Sequence, residues 1–148
     1  MKKIILIALM FFCANSIFTQ RIYYGFPDTK AQLTKNSILI VNLFNDYNMD
    51  GRIDGEDAKI DTLCAILNNN QNLYFNIEIN FFGGSHELCL KFSQSLCQSL
   101  EKILQREVKI CNYKIHGNGN TNPIFCSDNK SYIYIYNNRI EIFITENQ

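Results

Sequence analysis

The feature of this sequence that most limits its fold is the change of hydrophobic periodicity along the chain. Residues 37–44 are apolar and largely β-branched without a helical period, which predicts a buried strand. Residues 58–69 instead have the spacing of an amphipathic helix. The apolar residues that share one face of this helix are Ile60, Leu63, Cys64 and Leu67. A strand is therefore followed by a helix, which Asn68–Asn70 should end.

The same change of period occurs again further along the chain. Residues 73–82 alternate as a second strand, and Ser85 is placed to cap a second helix over 87–105. The predicted inner face of that helix comprises Leu88, Phe92, Leu96, Leu100 and Ile103. Residues 108–116 predict a third strand, and the Gly- and Asn-rich stretch 116–123 predicts a break. Two further stretches alternate, residues 131–136 and residues 139–145, and Asn137-Asn138 lies between them. Both are predicted to be strand at the end of the chain.

This order predicts one domain of the α/β class, as an α+β two-layer fold. The element order β-α-β-α-β-β places two helices on one face of a mixed four-stranded sheet. Residues 37–148 form the domain, and residues 20–36 are interpreted as an extended lead-in.

The first nineteen residues have the pattern of a secretory signal peptide. Two lysines precede an apolar run from Ile4 to Cys13, which is too short to cross a bilayer, and small polar residues follow. Ala14 and Ser16 suit a cleavage site that leaves a mature chain beginning near Ile17; a cut before Gln20 is the alternative. Lipidation at Cys13 is left open. The chain is expected to be exported, to the periplasm or the outer membrane.

Charge and cysteine content exclude some functions. The 14 basic and 14 acidic residues balance without a basic run, so nucleic-acid binding is not expected. Five cysteines follow the signal peptide, and no CxxC pair predicts structural zinc. Cys64 and Cys97 lie in helical apolar patterns and are expected to be buried thiols. Cys111 and Cys126 flank one turn and are the first candidates for a disulfide.

Three stretches of the sequence, in order, resemble the OmpA-like C-terminal domain, which OmpA, the peptidoglycan-associated lipoprotein and MotB share. They are residues 43–67, residues 84–104, and residues 116–124 taken with 137–144. The third is the most specific, because its matching residues fall in register together. These residues are Gly117, Gly119, Pro123, Asn137, Arg139 and Glu141. The resemblance covers about residues 37–145.

Members of that family bind the diaminopimelate of peptidoglycan with an Asp after the second strand and an Arg in the second helix. In this sequence the corresponding segment, Asn80–Gly83, contains no Asp and is about two residues shorter, and Leu96 occupies the Arg position. Cys89 occupies the position of a family Asn. The resemblance thus implies a non-catalytic envelope domain without the usual ligand contacts, with envelope proteins or the cell wall as partners. Continued peptidoglycan binding through a rearranged pocket is the alternative.

Residues 46–57 have the spacing of a calcium-binding loop. The oxygen ligands at its alternating positions are Asp46, Asn48, Asp50, Arg52, Asp54 and Asp57, with Arg52 offering only its backbone carbonyl. Gly51 permits the sharp turn, and Ile53 is expected to point inward. Calcium would brace this loop, and the protein would then be a calcium-braced interaction module. The alternative is a solvated acidic loop rich in turn residues.

No pattern of catalytic residues is present. His86 and Glu87 lack the second His of a zinc protease motif, and His116 stands alone at the end of the third strand. Tyr132, Tyr134 and Tyr136 alternate on one face, which indicates packing or a binding platform. We therefore expect a protein that is not an enzyme, with an enzyme of unrecognised type as the remaining alternative.

Overall fold

The computed structural model describes residues 20–42, 53, 58–110, 112–126 and 136–146. These residues form five strands and two helices. In chain order they are β1 (Arg21–Tyr24), β2 (Ser37–Asn42), α1 (Ala58–Asn69), β3 (Leu73–Asn80), α2 (His86–Glu107), β4 (Tyr113–Gly119) and β5 (Arg139–Glu146). The predicted fold class is confirmed, although the described sheet has five strands instead of the predicted four.

The strands form one mixed sheet in the order β1-β2-β5-β3-β4. The last strand of the chain, β5, lies between β2 and β3 and runs antiparallel to both. The two outer pairs, β1 with β2 and β3 with β4, are parallel. Placing β5 in the middle brings residues from both halves of the sequence to the same end of the sheet.

One face of the sheet carries the hydrophobic core. Leu39, Ile142 and Ile77 are register neighbours across β2, β5 and β3, and none of them is exposed to solvent. Both helices contribute to this core, among others with Leu63, Leu67, Leu96, Leu100 and Leu104. The opposite face, called the second face below, carries the alternate strand residues, which are half-buried and include Ile38, Ile40, Tyr74 and Phe143. Alternation along the strands explains the two faces.

One predicted element boundary is wrong, and the predicted extended lead-in contains a strand. The lead-in 20–36 contains β1, a strand too short to show a period, which Gly25 ends with a φ of 90°. Val108 does not begin the third strand; its N–H donates to the carbonyl of Leu104, so it caps α2. The strand β4 therefore starts later and continues through the glycines that we interpreted as a break.

The inner face of α2 is shifted from the predicted one at both ends. Leu88 is 52% exposed and lies over Gly84 in the turn before the helix, whereas Cys89 is buried. Near the other end Leu104 is buried and Ile103 only half-buried. The predicted N-cap is confirmed, because the Ser85 side chain accepts a hydrogen bond from the Leu88 N–H at 3.3 Å.

Candidate functional site

Three connecting segments meet where β3 and β4 end and β5 begins. We call this surface, residues 81–88, 120–126 and 136–138, the loop end. The Phe82 N–H donates to Oδ1 of Asn138 at 2.6 Å, which joins the segment after β3 to the segment before β5. Nδ1 of His86 lies 2.7 Å from Oδ1 of Asn120, which joins the start of α2 to the segment after β4. The loop end is thus one connected surface.

Asn137 fixes the conformation of the segment after β4. Its Oδ1 accepts hydrogen bonds from the N–H groups of Ile124 and Phe125, at 2.8 and 3.0 Å. Its Nδ2 donates to the carbonyl of Phe125 at 2.7 Å. Because Asn137 is fully buried, these bonds are shielded from water and hold residues 124–125 in one position.

Arg139 is a buried charge with several partners. Its Nε donates to Oε1 of Glu141 at 2.9 Å, and both side chains are shielded, at 2% and 13% exposure. Its Nη1 and Nη2 donate to the carbonyls of Asn137 and Asn122, at 3.2 and 2.8 Å. A buried ion pair is stable only when its remaining groups are also satisfied, and this arrangement satisfies them with the backbone of the loop end.

The two glycines of the same motif allow α2 to lie directly on β4. A Cβ atom at Gly117 would come within 2.7 Å of the backbone of Ser93 and Gln94. Gly119 has a φ of 58°, and its N–H donates to Oγ of Ser93 at 2.9 Å. Only a residue without a side chain permits this close approach. The motif residues that carry the resemblance therefore have structural roles here.

The segment Asn80–Gly83, where the resemblance places the family's Asp, presents no carboxylate. The ring of Phe81 stacks on Phe92 of α2, with centroids 4.0 Å apart. Asn80 is fully buried, and neither polar atom of its amide has a hydrogen-bond partner among the described residues. Aromatic packing thus occupies the space between this segment and the helix.

Cys89 and Leu96, the two positions of α2 that correspond to family ligand residues, are both fully buried. The Sγ of Cys89 accepts a weak hydrogen bond from the Gly83 N–H at 3.4 Å. Leu96 is part of the hydrophobic core. Neither side chain presents a polar group to solvent, and their assignment as ligand positions stays a prediction.

The large side chains that the loop end exposes to solvent are mainly apolar. Leu88 and Ile124 are more than half exposed, and Tyr136 is 52% exposed. The rings of Phe125 and Tyr136 are in tilted contact with centroids 5.0 Å apart. In the sequence, this surface is indicated by two apolar residues that directly follow Pro123 in an otherwise polar loop. We did not predict from the sequence that these two residues would be exposed. Tyr136 lies outside the strands, contrary to the prediction, and Tyr132 and Tyr134 lie outside the described residues.

Two of the described thiols, those of Cys64 and Cys97, are poor nucleophiles at neutral pH. Burial, together with Glu107 and Asp61, raises the pKa of Cys64 to about 11. Burial, together with Glu101, raises the pKa of Cys97 to about 12. The expected burial is confirmed for Cys64, and Cys97 is half-buried. Cys126 has an exposed free thiol, and Cys111, its candidate partner, lies outside the described residues.

The predicted calcium ligands all lie outside the described residues; they are Asp46, Asn48, Asp50, Arg52, Asp54 and Asp57. Ile53 is described, is half-buried and packs against the core, so its predicted inward orientation is confirmed. In the part of the chain that the structure describes, no three His, Cys, Asp or Glu side chains are grouped as a metal site. Neither described helix is long and apolar enough to cross a membrane.

Comparison with solved structures identifies the fold. The periplasmic domain of Helicobacter pylori MotB matches with a TM-score of 0.53 and 22% identity, over 79% of this chain and 80% of that one. The peptidoglycan-associated lipoprotein of Burkholderia pseudomallei matches with a TM-score of 0.54 and 15% identity, over 70% and 88%. The chain has the OmpA-like fold. The cell wall anchor of the Pseudomonas aeruginosa type VI secretion system (T6SS) also matches, with a TM-score of 0.57 and 13% identity, over 75% and 81%. No protein-family model and no curated protein matches the sequence.

Proposed function

We propose that this protein is a non-catalytic, exported domain of the bacterial cell envelope that acts through contacts with other envelope proteins. The OmpA-like fold supports the envelope assignment, because two proteins that share the fold are a peptidoglycan-associated lipoprotein and a cell wall anchor. The signal-peptide pattern of residues 1–19 supports export. The raised pKa values of the Cys64 and Cys97 thiols and the lack of a catalytic motif in the sequence favour a binding role over an enzymatic one.

The burial of Leu96 is the observation that carries the proposal. A ligand such as diaminopimelate has an ammonium and a carboxylate group, which bind through charge-assisted hydrogen bonds to side chains of opposite charge. Leu96 has no such group and is fully buried. Phe81 and Cys89 likewise contribute a stacked ring and a buried thiol instead of polar ligands. Losing even one such contact costs about 1.5–3 kcal/mol, so the changed positions together should leave little affinity.

The exposed side chains indicate what the loop end contacts instead. Ile124 and Phe125 are held in place by the buried Asn137 and yet remain open to solvent. A rigid, apolar loop loses little entropy when it binds, which favours association with another protein surface. We infer that the loop end is the contact surface of the domain.

Sedimentation with insoluble peptidoglycan tests the loss of cell-wall binding. The chain from residue 20 to residue 148 would be mixed with peptidoglycan sacculi, with the Burkholderia pseudomallei lipoprotein as the positive control. We expect this chain to stay in the supernatant while the control sediments. Sedimentation of most of the chain, reversed by added soluble muropeptide, would mean that a rearranged pocket still holds the cell wall.

Site-specific photo-crosslinking in cells tests the contact surface. A photoreactive residue at Phe125 should crosslink to a defined envelope protein, whereas the same residue at Lys102, exposed on α2, should not. Equal crosslinking from both positions would contradict the assignment of the loop end as the contact surface.

We further propose that residues 46–57 bind calcium, which braces the connection between β2 and α1. The position of Ile53 supports this, because the eighth residue of such a loop points inward and Ile53 packs on the core. The start of α1 at Ala58, directly after Asp57, also agrees with the loop-helix order.

Thermal unfolding with calcium and with a chelator tests this second proposal. A ligand present at about 100 times its Kd stabilises the native state by about 2.7 kcal/mol, which raises the melting temperature. The rise should vanish in Asp46→Ala/Asp50→Ala and persist in the matched variant Asp28→Ala, which lies outside the loop. The proposal is wrong if calcium at about 5 mM leaves the melting temperature unchanged.

A further inference from the structure

The two outer strands of the described sheet differ in how their free edges are protected. On β4, Lys114 and His116 are exposed, and a register shift between Ile79 and Asn80 interrupts pairing with β3. Charged side chains and bulges are common means by which edge strands avoid further pairing. On β1, Arg21 is the exposed charged residue at the start of the strand, and Ile22 and Tyr24 are exposed beside it, at 50% and 83%. The β1 edge is therefore the less protected of the two.

The unpaired backbone groups of β1 belong to the same two residues. The Gly25 N–H donates to the carbonyl of Ile40 at 2.8 Å, so Gly25 directs its backbone toward β2. Successive residues of a strand direct their backbone groups to opposite sides. Ile22 and Tyr24 consequently direct their N–H and C=O groups away from β2, where no described strand lies.

This arrangement is complementary to itself. If two β1 strands meet antiparallel around Tyr23, Ile22 of each copy lies opposite Tyr24 of the other. These are the residues with outward backbone groups, so they form two hydrogen-bonded pairs with four N–H···O bonds. Their side chains share the second face and cover each other. Arg21 falls opposite Gly25 of the other copy, so like charges do not meet.

We propose that two copies of this chain associate through their β1 strands, antiparallel around Tyr23, and join their sheets edge to edge. A second copy fits the β1 edge because one register satisfies three conditions at once. The outward backbone groups of the two strands pair, the exposed apolar side chains cover each other, and the Arg21 side chains do not meet. This association is separate from the loop end, so it does not depend on the function proposed above.

The association should be weak. Only Arg21–Tyr24 is extended, since the chain leaves the edge at Gly25. Four-residue strands bury less surface than the roughly 1,200–2,000 Å² of stable protein interfaces. We therefore expect a reversible dimer with a Kd on the order of 0.1 mM.

Sedimentation velocity of residues 20–148, from about 10 µM to about 1 mM, tests the association. We expect the average mass to rise from one chain toward two. Tyr24→Pro removes an outward N–H and the exposed ring but no hydrogen bond to β2, and it should weaken the association at least about tenfold. Lys114→Ala, at the other edge, should leave it unchanged. A mass of one chain over the whole range would overturn the proposal.

Disulfide trapping tests the register and also captures a weak dimer. In a Cys126→Ser background, a mixture of Ile22→Cys and Tyr24→Cys chains should crosslink as heterodimers under mild oxidation, because directly opposite residues lie within disulfide reach. Lys114→Cys chains are the control, because they give the rate at which disulfides form by random collision. Urea unfolding of each reduced variant verifies the fold. Heterodimer formation no faster than the Lys114→Cys rate would overturn the proposed register.

Discussion

The two sides of the loop end differ in where their side chains find partners. On the β4–β5 side, Asn137 and Arg139 bind the protein's own backbone, and Gly117 lets α2 approach the sheet. On the β3–α2 side, Leu96 and Cys89 are buried apolar groups at positions where the resemblance expects groups that bind a ligand. The β4–β5 side therefore has the features that the fold requires, whereas the two α2 positions that the resemblance assigns to ligand residues carry no charge.

The function proposed above implies that the residues that stabilise the OmpA-like fold differ from those that bind its usual ligand. Arg139 is needed to satisfy backbone carbonyls, so removing it should affect folding. Leu96 is part of the hydrophobic core at the position where the resemblance places a ligand-binding Arg, so this position supports the fold here without a charge. The first three predictions below test these two sides separately.

The largest effect is expected for Leu96→Arg, which introduces the Arg that the resemblance expects at this position of α2. Because Leu96 is fully buried in the core, the new charge is desolvated without a partner and should cost about 4 kcal/mol or more in the free energy of unfolding. Urea unfolding measures it, with Gln98→Arg on the exposed face of α2 as the control. A cost below about 1 kcal/mol would show that this position opens to solvent as a ligand position does.

The next largest effect on stability is expected for Arg139→Ala, which tests the β4–β5 side. It leaves Glu141 and two backbone carbonyls without their donor, which should cost about 3 kcal/mol or more. The matched control is Arg106→Ala, whose ion pair with Glu107 is exposed and should change stability by less than about 1 kcal/mol. If the two variants were equally stable, the structural role assigned to Arg139 would be wrong.

Gly117→Ala, on the same side, should lower the free energy of unfolding by a smaller amount. The added Cβ meets the backbone of α2 within 2.7 Å, and such overpacking costs about 1–3 kcal/mol. The control is Gly25→Ala, where no atom lies within 4 Å and only the positive φ opposes the change. We expect hydrogen exchange to increase in both α2 and β4 for Gly117→Ala, and in neither for Gly25→Ala.

The smallest effect concerns the α2 thiol at Cys97. Its pKa is raised by burial from 9.0 to about 12, so the folded state favours the neutral thiol. The stability that this thiol contributes is complete below pH 9 and is lost as the pH rises toward 12. Cys97→Ala should flatten the loss of stability in that range, whereas Cys126→Ala, at an exposed position, should not. Identical slopes for wild type and Cys97→Ala between pH 9 and 11 would contradict this.

Much of the fold follows from sequence periodicity, and the exceptions have local causes. β3 and α2 are long enough to show their periods, so both were predicted. β1 has only four residues, and its pairing with β2 depends on tertiary contact. The glycines 117 and 119 favour a turn by composition, but their pairing with Ile79 and Asn80 of β3 makes them part of β4. Leu88 fits the apolar period of α2, and yet its place in the first turn leaves it exposed.

The candidate site could be predicted only in part. The resemblance located Cys89 and Leu96, and the lack of charge there is visible in the sequence itself. The exposed pair Ile124 and Phe125 could not be predicted, because their position depends on hydrogen bonds that they donate to Asn137, which is twelve or thirteen residues away. Contacts over such a distance leave no periodic signal in the sequence.

Titration of the isotopically labelled chain with a diaminopimelate-containing stem peptide tests the central claim most directly. Amide resonances of residues 81–96 report binding on the β3–α2 side, and those of residues 122 and 124–126 report the opposite side. We expect no shift at either side up to about 1 mM peptide. Saturable shifts confined to residues 81–96, with a Kd below about 1 mM, would show that the usual ligand is still bound.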